Sequence, residues 1–170
     1  MTGVFEIADK FVGTVAKHNP LAATHMGITG SDHLMPDYSP DATHSFYRET
    51  ITALGQMEAV VPLNDRERMC KDTFIDASSV SVEQHESHDY LRDINVLFSP
   101  VQSVRSIFDL MPKDSLEAWE NIASRMEKVK DSLSTYQEAL DKGRAEGLVA
   151  SRRQVNGCAD QCEAWAGERD

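Results

Sequence analysis

The densest group of chemically able side chains in this sequence is the run His85-Glu86-Ser87-His88-Asp89. A zinc-hydrolase helix carries H-E-x-x-H, which sets two imidazoles one turn apart as ligands and leaves the glutamate beside them as general base. Here the second histidine comes one residue too early. An i, i+3 pair with Asp89 at i+4 keeps some reach toward a metal, but an exposed polar stretch accounts for the run better. No catalytic, cofactor-binding or metal residue is assigned to it. Cys158 and Cys162 stand four apart and share a helix face, yet they lack C-x-x-C redox spacing and any nearby histidine, so they read as small buried residues. His18, His25, His33 and His44 are scattered through the first segments without a serine or cysteine in a nucleophile setting, and read as surface or boundary residues. Arg152-Arg153 could meet a carboxylate or phosphate, but two adjacent arginines at a helix start are expected to face solvent.

The totals narrow the field further. A chain of 170 residues is expected to form a single domain spanning 1–170 and to bury about two-thirds of its surface, so it needs neither disulfide nor metal to hold a core. Lys plus Arg is 17 against 28 for Asp plus Glu, a formal net charge of -11, which makes nucleic acid and anionic membranes poor partners. The three cysteines are odd in number and show no secreted framework, which points to a reducing compartment and a cytoplasmic protein. The apolar positions near the N-terminus are broken by Glu6, Asp9 and Lys10, as in an amphipathic helix and unlike a signal peptide. The uncharged run 94–104 is too short to span a bilayer and contains Pro100.

The elements that must position these side chains are helices throughout. Val4, Phe5, Ala8, Phe11, Val12 and Val15 recur at helical spacing up to His18, and Asn19-Pro20 caps a short second helix that Gly27 ends. A long loop follows. Ser39-Pro40 opens a third helix with Phe46, Tyr47, Thr50, Leu54, Met57 and Val61 on one face. Asn64 with Glu67 opens a fourth that reaches toward Tyr90 and Leu91, with a kink or break expected among the weak helix formers 78–82. Ser99-Pro100 with Gln102 caps a short helix carrying Val101, Val104, Phe108 and Met111. One long helix near 115–146 carries the seam Trp119, Ile122, Met126, Val129, Leu133, Tyr136 and Leu140, and Gly147 supplies its left-handed stop. Ser151 caps a last helix with Val155, Cys158, Cys162 and Trp165 as its apolar edge. With no strand-period run, the expected class is an all-α, mostly antiparallel bundle, the seam buried against the third or fourth helix.

Several ordered blocks resemble a bacterial family catalogued as domain of unknown function 885. They are Asn19-Pro20-Leu21-Ala22-Ala23-Thr24 through Met26-Gly27-Ile28, Leu34-Met35-Pro36-Asp37-Tyr38-Ser39-Pro40, Leu91-Arg92-Asp93-Ile94-Asn95-Val96 with Ser99-Pro100, Phe108-Asp109-Leu110-Met111-Pro112, Trp119-Glu120-Asn121-Ile122-Ala123, and Gly147-Leu148-Val149-Ala150-Ser151-Arg152-Arg153-Gln154-Val155. The resemblance covers essentially the whole chain. It implies much longer all-helical relatives with an H-E-x-x-H segment beyond the part seen here, and hence zinc and a peptidase-like activity in those relatives. His85 to Asp89 does not align with that segment, and no residue of the family's metal site has a counterpart in this chain. The resemblance therefore implies a non-catalytic N-terminal helical region, its partner the remainder of the peptidase-like protein or a second copy met through exposed apolar faces. The alternative is a free-standing helical interaction module.

Overall fold

The computed structural model describes residues 3–167, which are all-α and contain no strand. The helices are α1 (Val4–His18), α2 (Pro20–His25), α3 (Pro40–Ala59), α4 (Asp65–Glu86), α5 (Pro100–Leu110), α6 (Leu116–Glu127), α7 (Val129–Ala145) and α8 (Arg152–Trp165), with a 3-10 turn (Asp89–Leu91) between α4 and α5. Their starts are set by capping chemistry. Asn19 Oδ1 accepts from the amides of Leu21 and Ala22 at 3.1 and 3.0 Å, with Pro20 leading α2. Ser39, Asn64, Ser115 and Ser151 cap α3, α4, α6 and α8 in the same way, and Ser99 with Gln102 closes a capping box on α5. Gly27 and Gly147 follow α2 and α7 at φ +72° and +76°, a region where any Cβ is strained.

Two apolar clusters hold the helices together. In the first, Val4 and Ile7 of α1 meet Met57 of α3, with Cys70, Phe74 and Ile75 of α4 packed around them. Phe11 extends it, its ring 5.1 Å from Phe74 and 6.0 Å from Phe46. α4 runs without a break through 78–82, because its extensive packing on α3 outweighs weak local propensity. Val61 lies past the end of α3 and is 78% exposed, so it does not extend that helix's apolar face. In the second cluster Leu21, Val104, Ile107, Met111 and Ile122 join α2, α5 and α6, with Val129 and Leu133 of α7 against them.

The single long helix expected over 115–146 is instead two helices, interrupted at Lys128. The Lys128 amide turns to the Arg125 carbonyl at 3.1 Å, a tightened three-residue bond. The buried face is also rotated by one residue from the expected seam. Ile122 and Tyr136 are buried as expected and Val129 and Leu133 pack against the second cluster, but Ala118, Arg125, Ser132, Ala139 and Gly143 are buried as well, while Trp119 and Met126 of the expected seam are exposed. The substitution of small and polar residues has a physical reason: backbone packs here. A Cβ on Gly143 would collide with the Leu91 carbonyl, so the 3-10 turn rests directly on α7.

The loop 27–38 covers the rest of that face, and side-chain donors pin it. Arg125 Nε donates to the Leu34 carbonyl at 3.0 Å, and its Nη2 donates to the Ser31 carbonyl at 3.0 Å and to Thr24 Oγ1 at 3.1 Å. Lys128 Nζ donates to the His33 carbonyl at 2.8 Å and Ser132 Oγ to the Pro36 carbonyl at 2.6 Å. The Tyr38 amide donates back to Thr135 Oγ1 at 2.9 Å. The seam is thus covered mainly by the loop, the 3-10 turn and α5, without extensive packing on α3 or α4. On α8 only Cys158 of the expected apolar edge is buried; Val155 and Trp165 are 43% and 45% exposed. That helix leans on the segment 95–98 through polar side chains, Gln161 Nε2 donating to the Val96 carbonyl at 3.1 Å.

Candidate functional site

α3 and α4 are joined by the short link 60–64 and run antiparallel, so the first turns of α3 meet the last turn of α4. This junction collects the ring-bearing polar side chains of the chain. His44 and Tyr47, three apart on α3, face His85 and Glu86 at the end of α4. His44 Nδ1 lies 3.4 Å from His85 Nε2, and the Tyr47 hydroxyl donates to Glu86 Oε1 at 3.0 Å. The His85 ring is held between two tyrosines, its centroid 4.1 Å from that of Tyr47 and 4.9 Å from that of Tyr90, with interplanar angles of 17° and 5°. A cavity of about 430 Å³ opens on the junction, and Asp41, His88 and Lys142 also line it.

The electrostatics follow from this crowding. Partial burial pushes the His85 imidazole down from its ordinary value, and the facing His44 and His88 push the same way, as does Lys142; Glu86 pulls against them. The bond from Tyr47 to Glu86 pushes the phenol up.

The histidine run that stands out in the sequence is divided by the helix end. α4 stops at Glu86, and His88 sits beyond it at φ +58°, a left-handed conformation that serves as the stop in place of glycine. His85 and His88 therefore do not present ligands from adjacent turns, and the near partner of His85 is His44, from 41 residues away. Asp89 is engaged locally by Arg92, whose Nη2 donates at 2.7 Å. Among the described residues no group of three or more His, Cys, Asp or Glu side chains is arranged to hold a metal ion.

The other singled-out residues lie elsewhere. His18 Nε2 is 2.8 Å from Glu49 Oε1, and that contact holds the Glu49 carboxyl below its usual range. The thiol of Cys158 is buried and donates to the Asn95 carbonyl at 3.1 Å, whereas Cys162 is exposed. Arg152 and Arg153 are exposed. Sequence reasoning passed over Arg125, which is fully buried, and with it Thr24, Ser132 and Thr135. It also passed over the Tyr47 and Tyr90 stack, for which only the ring types gave a signal.

Comparison with protein-family models matches residues 20–170 to "Bacterial protein of unknown function (DUF885)". The chain belongs to this family. No curated protein matches it. The DUF885 match begins at Pro20, the first residue of α2, so α1 lies ahead of the matched region although it packs into the first cluster. Both the α3–α4 junction and the pinned loop fall within the matched residues.

Proposed function

We propose that this DUF885 chain is a non-catalytic helical region of a metallopeptidase-like cytoplasmic protein, and that it packs on the remainder of that protein through α6. The observation that carries this reading is an apolar stripe left open on that helix. Leu116, Trp119 and Met126 share one face of α6 at helical spacing and are 77%, 52% and 60% exposed, with exposed Ala123 between them. A contiguous apolar stripe of this kind marks a contact surface more often than idle surface. Trp119 is held ready for it, its Nε1 donating to the Lys113 carbonyl at 3.1 Å.

The zinc that the family resemblance implies for longer relatives has no fitting set of donors among the described residues. Amide hydrolysis by zinc requires three protein ligands, an open position and a placed general base, so no peptidase step is derived for this chain. No helix is long and apolar enough to cross a membrane among the described residues.

Sedimentation of the chain alone tests the stripe. Expected is concentration-dependent self-association, abolished by Trp119→Glu with Met126→Glu at unchanged helicity, whereas a longer family protein containing this region stays monomeric with Trp119 shielded from quenchers. A strictly monomeric chain, together with a quencher-accessible Trp119 in the longer protein, overturns the packing role and favours an interaction module. Chelator-sensitive cleavage of a peptide library by the 170-residue chain overturns the non-catalytic reading.

A further inference from the structure

We propose that the occupant of the open α6 stripe is an amphipathic helix of the remainder of the protein that carries lysine or arginine along one edge of its own apolar face, a reading that rests on the packing role of α6 and says what packs there. The charges of α6 point to it. Glu117, Glu120 and Glu127 are exposed, and none of them enters an ion pair among the described residues. The nearby cations are engaged elsewhere. Arg125 Nε and Lys128 Nζ turn inward to the Leu34 and His33 carbonyls at 3.0 and 2.8 Å. Lys113 Nζ, ahead of the helix, donates to the Phe108 and Met111 carbonyls at 2.9 and 3.2 Å, where it covers the C-terminal end of α5. Lys130 stands past the interruption, on α7, and pairs with none of the three carboxylates.

Helical phase places these carboxylates beside the stripe. Glu120 and Glu127, seven residues apart, fall in one line about 10 Å long on the side of Leu116 and Ala123. The other side of the stripe is closed by Ile122, which is buried in the second cluster. The open face is therefore apolar with a single acidic edge. Apolar contact supplies affinity for any amphipathic helix, whereas a row of unpaired carboxylates favours cations opposite and disfavours anions. The net charge of -11 adds the same sign at longer range. From Leu116 to Met126 the stripe runs about 15 Å, so about three turns of a partner helix cover it. A second copy laid antiparallel across the same stripe sets acidic edge against acidic edge, which makes it the poorer occupant.

Two helical peptides without tryptophan, alike in length and leucine stripe, probe the edge: one carries lysines and the other glutamates at i and i+7 along one side of the stripe. They are titrated into the full chain bearing Trp165→Phe, so that fluorescence reports Trp119 alone. The lysine-edged peptide is expected to shift Trp119 emission to the blue and to bind at least about tenfold tighter than the glutamate-edged one at low salt, a gap that about 0.5 M sodium chloride largely closes. Glu120→Lys with Glu127→Lys reverses the preference. Glu58→Lys with Glu138→Lys, the same change of net charge at exposed positions away from α6, keeps it. Circular dichroism confirms the fold of each variant. Equal affinity for the two peptides, or a preference lost equally in the distant pair of substitutions, overturns the proposal and leaves the packing role of α6 standing; that role falls separately, with an unshielded Trp119 in the longer family protein. Binding of neither peptide also overturns the proposal, and self-association that strengthens with salt then makes a second copy the occupant.

Discussion

The end of the molecule built from α1, α3 and α4 and the end built from α6, α7 and the loop 27–38 cover their helix faces in opposite ways. In the first, apolar side chains meet apolar side chains, with Met57 fully buried among Val4, Ile7 and Phe74. In the second, beside the apolar cluster around Ile122, one helix face meets the backbone of a loop and a 3-10 turn, and its contacts there are donors to carbonyls: Arg125 to Leu34 and Ser31, Lys128 to His33, Ser132 to Pro36. The first kind of contact is non-directional and tolerates repacking. The second is directional, because a loop carbonyl taken from water must be met by a specific donor.

Breaking the directional end is expected to cost most. Arg125→Ala removes a fully buried side chain that meets three carbonyls and a hydroxyl, takes a donor from each of those acceptors, and opens a void; the expected loss is about 3–5 kcal/mol by chemical denaturation. Arg125→Met keeps the stem and sheds the cost of the unpartnered Nη1, so it recovers part of that loss while still freeing the loop. Hydrogen exchange at Ser31 to Leu34 should rise in both variants; unchanged exchange there would show that the loop is held without Arg125.

Met57→Ala probes the apolar end and is expected to cost about 2–4 kcal/mol, through lost burial and a residual cavity. Its signature differs: Met57→Leu should restore most of the stability, because volume and polarity suffice there. A Met57→Leu variant as unstable as Met57→Ala would mean that this core is as shape-specific as the loop contact. Ser132→Ala is smaller, about 1–2 kcal/mol, since it takes one donor from the Pro36 carbonyl and leaves a buried acceptor unmet.

The same contrast explains what was legible in the sequence. Caps are local chemistry, so Asn19, Ser39, Asn64, Ser99 with Gln102, and Ser151 mark helix starts correctly, and Gly27 and Gly147 mark stops. The apolar face of α1 is read only in part from its period: Val4 is buried and Ala8 and Phe11 pack on the first cluster, but Phe5 and Val12 are exposed and the buried Ile7 was not among the residues expected there. The α6–α7 face misleads because hydrophobic periodicity assumes that an apolar partner lies opposite. A face that receives backbone requires Ala118, Ser132, Ala139 and Gly143 with a buried arginine, and its apolar neighbours Trp119 and Met126 are turned outward. The interruption at Lys128 has no local mark either, since Glu127 and Lys128 are good helix formers; Ser124, Arg125 and Lys128 around it all reach the loop or its anchor. At the α3–α4 junction the ring types were visible, but the pairing of His44 with His85 depends on the antiparallel return of α4, which spacing along the chain does not encode.

Acidification is the mildest way to separate the two ends, and its sign can be worked out. His85 has a folded-state pKa pushed below its ordinary value by partial burial, then by His44 and His88. For a base depressed on folding, the unfolded chain binds the proton more readily, so its contribution is present above the unfolded pKa and is lost as pH falls through the histidine range. Glu49, lowered by its bond to His18, works in the same direction further down, in the carboxylate range. Both belong to the α1–α3–α4 end. At the other end burial lowers Arg125 and the facing Asp32 works against it, yet guanidinium starts so high that it stays charged throughout; its direct acceptors are carbonyls and the Thr24 hydroxyl, which in turn donates to Asp32 at 2.7 Å. Asp93, beside that end, is raised by burial, so protonation favours the folded state there and opposes any loosening. Lowering the pH from 8 to 5.5 is therefore expected to reduce hydrogen-exchange protection at the junction of α3 with the end of α4, while the loop 27–38 keeps its protection. His85→Asn should flatten the response at the junction, because the titrating group is gone. Equal loss of protection at both ends would show that the two clusters open as one unit and that the contrast between them is chemical but not energetic.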